Sequence, residues 1–279
     1  MGAPWWTKIG AKLLLSRVPV AYRLWSRIGI FRHGRMGEET YADDVFDFHA
    51  RELTGSLPRD SICLEVGPGD SLFTAINAQR AGFARSILLD VGDFADRDLA
   101  TFAAVALDRG LPAERVARWG SLDDALRDLD ASYLTSGLTA LRDLPSDSVD
   151  FAFSHEVLEH VRKGEYEDFL RHLRRVLKPG AITSHQVDLQ DHLQAGLNNL
   201  RFPDRIWETP LFAEAGFYTN RLSISEHAKA FEKAGFVIEK LERQTFATVP
   251  IARSALAAQF RARPDEELIV RGFHIVARA

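Results

Sequence analysis

At 279 residues the chain has room for one large α/β domain with additions or for two small domains, and its 46% apolar and 27% charged residues are the balance of a globular protein. No apolar run reaches the roughly 20 residues that span a bilayer, and a net charge of -4 gives no reason to expect nucleic acid as a partner. The single cysteine, Cys63, excludes an internal disulfide and fits a reducing, cytoplasmic compartment.

The net charge hides an asymmetry. Residues 1–37 carry no acid but hold Lys8, Lys12, Arg17, Arg23, Arg27, Arg32 and Arg35, so the rest of the chain is acidic. Trp5, Ile9 and Leu13, then Leu24, Trp25 and Ile28, recur at helical spacing on either side of Pro19. Such a basic arm suits a helical lid, a peripheral anchor at the anionic inner face of a membrane, or an organellar transit peptide. We take residues 1–56 as a basic helical extension that includes a helix from Tyr41 to Leu53, and 57–279 as the main domain.

Ile62–Val66 is a short apolar strand that breaks into Gly67-Pro68-Gly69-Asp70, with Asp70 as N-cap of a helix through Arg80. Ser86–Asp90 reads as a second strand and Phe94–Asp108 as a helix, followed by a surface helix over 113–129. Ala131–Thr135, Val149–Phe153 and Ala181–Val187 supply three more strands, with a helix from Glu165 to Leu177 before the stop Lys178-Pro179-Gly180. Residues 189–222 have no clear period and read as an insertion over the open edge of the sheet. Ser223 and Glu226 form a capping box for a helix through Lys233, and Phe236–Leu241 with Leu268–Val276 form a closing antiparallel pair. The alternation implies a Rossmann-like α/β fold: an open, mostly parallel sheet with helices on both faces.

In such a sheet, ligands bind beyond the carboxyl ends of the strands. Those ends carry Glu65 to Asp70, Asp90, Ser136-Gly137, Ser154-His155-Glu156 and Asp188. Asp90 lies about 20 residues past the glycine turn, the spacing of an acid that binds ribose hydroxyls. Leu72 occupies the position where a dinucleotide fingerprint needs its third glycine, and no Gly-Lys-Ser/Thr is present for a triphosphate. An acid before the glycine turn and another after the second strand suit a nucleoside with a cationic, amino-acid-like tail.

These residues carry a resemblance. Leu64-Glu65-Val66-Gly67-Pro68-Gly69-Asp70 resembles the first motif of class I S-adenosylmethionine-dependent methyltransferases, and Leu88-Leu89-Asp90 their second-strand motif. Ser148-Val149-Asp150-Phe151-Ala152-Phe153-Ser154-His155-Glu156-Val157-Leu158-Glu159-His160-Val161 is similar to their fourth-strand region, and Arg175-Val176-Leu177-Lys178-Pro179-Gly180 to the turn before strand five. The resemblance implies S-adenosyl-L-methionine as cofactor. Gly67, Pro68, Gly69 and Asp70 would lie against its methionine and ribose portions, Glu65 near its amino end, and Asp90 on the ribose hydroxyls. Val91, Gly137 and Leu138 would border the adenine, although many relatives place an acid at 136–138 and this chain has none. Ser154 and His155 would face the sulfonium.

For the acceptor, the densest polar group is His185-Gln186-Val187-Asp188-Leu189-Gln190-Asp191-His192. His155, Glu156, His160, His185, Asp188, Asp191 and His192 are the candidate bases. We expect catalytic roles for His155, Asp188 and His192, with His192 a general base held by Asp188 or Asp191. A divalent metal lowering the acceptor's pKa is the less favoured alternative, and capping of the strand end the structural one. His33, His49, His172, His227 and His274 read as ordinary surface or packing residues. Asn198, Asn199, Phe202, Trp207, Phe217, Tyr218, Asn220 and Arg221 in the insertion suit stacking on a sugar, or simply packing. A weaker resemblance of 185–192 and Asn220-Arg221-Leu222 to bacterial polysaccharide-pathway methyltransferases points to O-methylation of a small molecule or glycan, such as a lipid-linked sugar. N- or C-methylation of a lipid or quinone-like precursor, and a non-catalytic cofactor-binding partner subunit, are the other expectations. Nothing in the residues speaks to oligomeric state.

Overall fold

The computed structural model describes residues 6, 7, 9, 10 and 39–279. The basic arm of residues 1–37, and with it the choice between lid, anchor and transit peptide, lies almost wholly outside the described residues. Among the described residues no helix is long and apolar enough to cross a membrane.

The chain divides into two compact units. One holds residues 39–155, 172–184 and 278–279, and the other Glu156–Arg171 and His185–Ala277. Strands are β1 (Ile62–Val66), β2 (Arg85–Leu89), β3 (Ala131–Leu134), β4 (Val149–His155), β5 (Leu177–Asp188), β6 (Val237–Thr245) and β7 (Val270–Arg278). Their order in the seven-stranded sheet is β3-β2-β1-β4-β5-β7-β6.

In the first unit β1 runs parallel to β2, from Ile62 opposite Arg85 to Val66 opposite Leu89, and parallel to β4, from Cys63 opposite Phe151 to Val66 opposite Ser154. β2 runs parallel to β3. These strands are near-continuous apolar runs because helices cover both faces of a parallel sheet, and Leu64, Leu88, Phe151 and Phe153 are wholly buried. Beyond β1 the chain builds outward through β2 and β3, then returns to β4 on the other side. The ends of β1 and β4 therefore frame the switch point where ligands bind in this architecture. In the second unit Phe246 N–H donates to Ile269 O at 2.9 Å, so the end of β6 meets the start of β7, as a closing antiparallel pair requires.

Several boundaries move for local reasons. The helix after the glycine turn is Thr74–Arg80 with Phe73 at its N-cap and no side-chain cap, so Asp70 is a loop residue instead, its carbonyl accepting Asp96 N–H at 2.8 Å. The next helix starts only at Leu99, because the Asp98 carboxylate caps it through the N–H groups of Ala100 and Thr101. Residues 113–129 split into Ala113–Val116 and Leu122–Asp128, the second capped by Ser121 after Gly120. β5 begins at Leu177 and runs through Pro179-Gly180, with Gly180 at φ +81°. The capping box of Ser223 and Glu226 forms as expected over the helix Ile224–Lys233.

Asp150 ties the start of this sheet together. Its carboxylate accepts Ile62 N–H at 2.8 Å and the Lys178 ammonium at 2.8 and 2.9 Å. Charge-assisted bonds of this kind contribute about 1.5–3 kcal/mol each, and losing the acceptor leaves partly buried donors unmet. Asp150→Ala is expected to destabilise the fold by about 2 kcal/mol, read as a lower urea midpoint with an unchanged slope.

Candidate active site

The first unit places the expected cofactor residues at the carboxyl ends of β1, β2 and β4. Gly67 and Gly69 sit at φ +76° and +65°, the left-handed region that a side chain makes costly. Gly67 N–H donates to Leu89 O at 2.8 Å, and Gly69 N–H to Asp90 Oδ2 at 3.1 Å. Asp90 Oδ1 accepts Val91 N–H at 2.7 Å. Pro68, between the two glycines, is buried. The turn after β1 is thus fastened to the end of β2.

The electrostatics of the two acids point to an absent partner. Burial raises the Asp90 carboxyl to about 6, against the pull of its N–H donors. The Asp90 oxygens accept these two N–H groups, Gly92 N–H adds a weaker pull, and the carboxylate keeps capacity for a ribose hydroxyl. Glu65 is only 2% exposed, its Oε2 has no hydrogen-bond partner, and burial raises it to about 8. The neighbouring Thr74 hydroxyl opposes that shift without closing a hydrogen bond of standard geometry. A buried, unmet carboxylate oxygen is stabilised by a cationic donor such as an amino-acid ammonium. These residues fit S-adenosylmethionine.

The far end of this row is also shaped. Val91 is 77% exposed, unusual for a large apolar side chain and suited to a flat apolar ligand. Gly137 stands beside it at φ +52°, where an added Cβ would lie 3.0 Å from Val91 Cγ1. Gly137 N–H donates to Asp90 O at 2.8 Å, and Leu138 starts the helix Leu138–Asp143. Tyr133, which no local motif marks, holds the loop after β2: its hydroxyl accepts Phe94 N–H at 3.1 Å and donates to Gly92 O at 3.0 Å.

His155 ends β4, one residue past Ser154, which pairs with Val66. Its Nδ1 lies 3.2 Å from Nε2 of His49, and Nδ1 of His49 lies 2.8 Å from the Ser184 hydroxyl. His49 is fully buried on the helix Glu39–Ala50 and stacks on Phe153 at 5.1 Å. His49, expected as an ordinary surface or packing residue, is packed in the core, and both its ring nitrogens also meet polar partners. Nothing local marks it. His49 and Ser184 are 135 residues apart and meet only through packing of the helix on the sheet.

In the second unit Asp188 ends β5, where its Oδ1 accepts both N–H groups of Gln190, at 2.9 Å from the backbone and 3.1 Å from the side chain. Asp191 organises its own loop: one oxygen accepts the N–H groups of Leu193 and Gln194, the other those of Asn198. His192 stacks on His160 with ring centroids 4.9 Å apart. Glu159, His160 and His192 bring one ligand atom each to within 4.8 Å of one another. His185 is fully buried and pushed down to about 3 by desolvation, which removes it from the candidate bases at neutral pH.

The insertion contradicts the idea of a sugar-stacking platform. Trp207, Phe217 and Tyr218 are buried in a common apolar cluster, Asn199 and Asn220 are 2% and 1% exposed, and Arg221 is 5% exposed. Arg221 donates to the carbonyls of Asn199 and Phe202, while Asn220 Nδ2 donates to those of Leu158 and Val161. Rings and amides here build the unit itself. Amphipathic residues in an irregular segment read the same in sequence whether they face water or each other.

A family model described as a methyltransferase domain matches residues 37–241. No curated protein matches the sequence. Among solved structures, a methyltransferase from Archaeoglobus fulgidus is 13% identical with a TM-score of 0.50, covering 93% of this chain and 100% of that one. The 4+2 cyclase SpnF is 18% identical with a TM-score of 0.50, over 89% of this chain and 86% of its own. A methyltransferase from Mesorhizobium loti is 20% identical with a TM-score of 0.45, over 80% of this chain and 94% of its own. At such identities the first two report the fold alone. The family match spans most of the chain, and with the site just described it makes this protein a member of the methyltransferase-domain family, an S-adenosylmethionine-dependent methyltransferase.

Proposed function

We propose that the enzyme methylates a hydroxyl oxygen of a small-molecule acceptor, with His155 as the general base. The observation that carries this reading is the hydrogen-bonded row His155–His49–Ser184 at the carboxyl end of β4. When bound, S-adenosylmethionine supplies an electrophilic methyl group on a sulfonium. Glu65 would receive its ammonium and Asp90 its ribose hydroxyls, Val91, Gly137 and Leu138 would border its adenine, and Gly67 to Asp70 with Ser154 would hold its tail and sulfonium end.

A hydroxyl is a weak nucleophile until it sheds its proton, and a positioned imidazole removes it during attack. Oriented so that Nδ1–H of His155 donates to His49 Nε2 and Nδ1–H of His49 donates to Ser184, the row leaves Nε2 of His155 with its lone pair. That nitrogen would take the hydroxyl proton, freeing the oxygen to accept the methyl group that the cofactor would supply, with the sulfur leaving as a thioether. Three ring contacts hold the imidazole: Tyr41 at 6.2 Å, Phe48 at 6.0 Å and His49 at 5.4 Å, all edge-on. Asp188 and His192 are the second candidate base pair. Sugars and lipid-linked sugars stay within the acceptor class, although the buried rings of the insertion no longer argue for them.

His155→Ala is expected to lower kcat about 100-fold or more while cofactor affinity stays near wild type, and His49→Gln to lower kcat by less. A methyl-labelled cofactor screened against sugars, lipid-linked sugars and phenols should label a hydroxyl. Wild-type turnover in His155→Ala with a fall in His192→Ala would move the base to the second pair, and label on nitrogen or carbon would end the O-methylation reading.

Two further outcomes follow from the buried acids. Asp90→Asn should weaken cofactor binding at least about tenfold by calorimetry, from the loss of charge-assisted bonds. Glu65 and Asp90 both have folded pKa values above their ordinary ones of 4.5 and 3.8. The free protein is therefore stabilised by them below about pH 4 and loses that share as pH rises through about 6 and about 8. Cofactor affinity should move the opposite way, rising between pH 6 and 8, with net proton release at pH 7 that depends on Glu65.

A further inference from the structure

We propose that Glu159, His160 and His192, none of them a group assigned to the cofactor, bind one first-row divalent cation, Zn²⁺ or Mn²⁺. The carboxyl of Glu159 is the first argument. The residue is 1% exposed, and neither of its oxygens closes a hydrogen bond of standard geometry, although the backbone N–H groups of Glu159 and Asp188 lie near enough to favour its charged form. Nearby carboxylates make matters worse, since Asp188 and Glu156 both act on Glu159 with like charge. A buried carboxylate in this position calls for a positive partner, and none of the ion pairs among the described residues includes Glu159.

The second argument is the presentation of the imidazoles. His160 Nδ1 lies 2.8 Å from the carbonyl of Tyr218. A carbonyl only accepts, so Nδ1 carries the hydrogen and Nε2 keeps its lone pair, the tautomer of a metal-ligating histidine with its outer nitrogen anchored. The carbonyl is itself fixed in place: Tyr218 lies buried in the insertion, Lys163 N–H donates to its hydroxyl at 3.1 Å, and that hydroxyl donates to Glu208 at 2.9 Å. His192 is held parallel to His160 by stacking at 25°.

The geometry suits a small ion. One ligand atom from each of the three residues lies within 4.8 Å of the others, and bonds of about 2.0–2.2 Å to a central cation require them to close to about 3–3.5 Å. Two imidazoles with one carboxylate favour zinc, manganese or iron over magnesium or calcium, which take oxygen ligands. Glu156, at φ +56° directly after β4, and Asp188 supply further carboxylates around the group. The backbone conformation of Glu156 is one that a non-glycine residue holds only when its surroundings enforce it.

Cation binding is read without turnover, so its outcome is separate from that of the methyl-transfer proposal. The untagged full chain, stripped with chelator, is dialysed to equilibrium against Zn²⁺ and then Mn²⁺, and Co²⁺ is added as an optical probe of imidazole ligation. The expected result is one ion per chain and a visible Co²⁺ spectrum. Glu159→Gln and His192→Ala should each lower affinity at least tenfold, and the imidazole part of the spectrum should change in His192→Ala. Circular dichroism checks both variants, and if Glu159→Gln fails to fold, His192→Ala decides alone. No stoichiometric binding of either ion, or wild-type affinity in the folded variants, overturns the proposal.

Discussion

The first unit depends on how one carboxylate holds two loops. Asp90 accepts Gly69 N–H with one oxygen and Val91 N–H with the other, so the turn after β1 and the loop after β2 share a single anchor. The arrangement works because glycine at φ +65° turns its N–H toward the strand end without a side chain in the way. It also keeps a carboxylate in a buried place, which costs free energy unless every N–H is well aimed. Glu65, one strand over, is the same problem with less help, and its unmet oxygen marks where a cation is wanted.

The histidine row shows a different use of burial. An imidazole sealed inside a protein must satisfy two nitrogens at once, and His49 does so with Ser184 on one side and His155 on the other. That leaves His155 half-buried with a fixed Nδ1 partner and edge-on aromatic neighbours. Orientation of a base by a second group is what separates a catalytic imidazole from one that merely titrates. With His155 as the proposed base, the helix Glu39–Ala50 would serve the chemistry as well as the packing, where Asn77 donates to Asp43 at 2.9 Å and Phe46 lies against Phe153 at 5.9 Å.

The second unit solves the problem of an irregular segment that must still bury polar backbone. Arg221 collects the carbonyls of Asn199 and Phe202, Asn220 those of Leu158 and Val161, and Trp207 Nε1–H the carbonyl of Thr219. Asp191 does the converse for N–H groups. Side chains thereby replace the ladder that a helix or strand would have provided. Glu159 stands out among the buried groups of this unit because both of its carboxylate oxygens lack a hydrogen-bond partner of standard geometry.

Local chemistry decided a good deal in advance. The apolar runs 62–66, 86–89 and 149–153, the glycine turn and the strand-end acids are short-range features, and their order along the chain defines a parallel open sheet and its cofactor site. The capping box of Ser223 and Glu226 is equally local and forms as written. Helix starts were less legible because caps compete: Asp98 captured the start expected at Phe94, and Asp70 went to the loop. Only the tertiary structure decided which polar residues meet. His49 with Ser184, His160 with the carbonyl of Tyr218, and the inward turn of Trp207 and Arg221 all join positions far apart in sequence. Periodicity and composition describe a residue's neighbours along the chain, whereas these roles depend on neighbours across space.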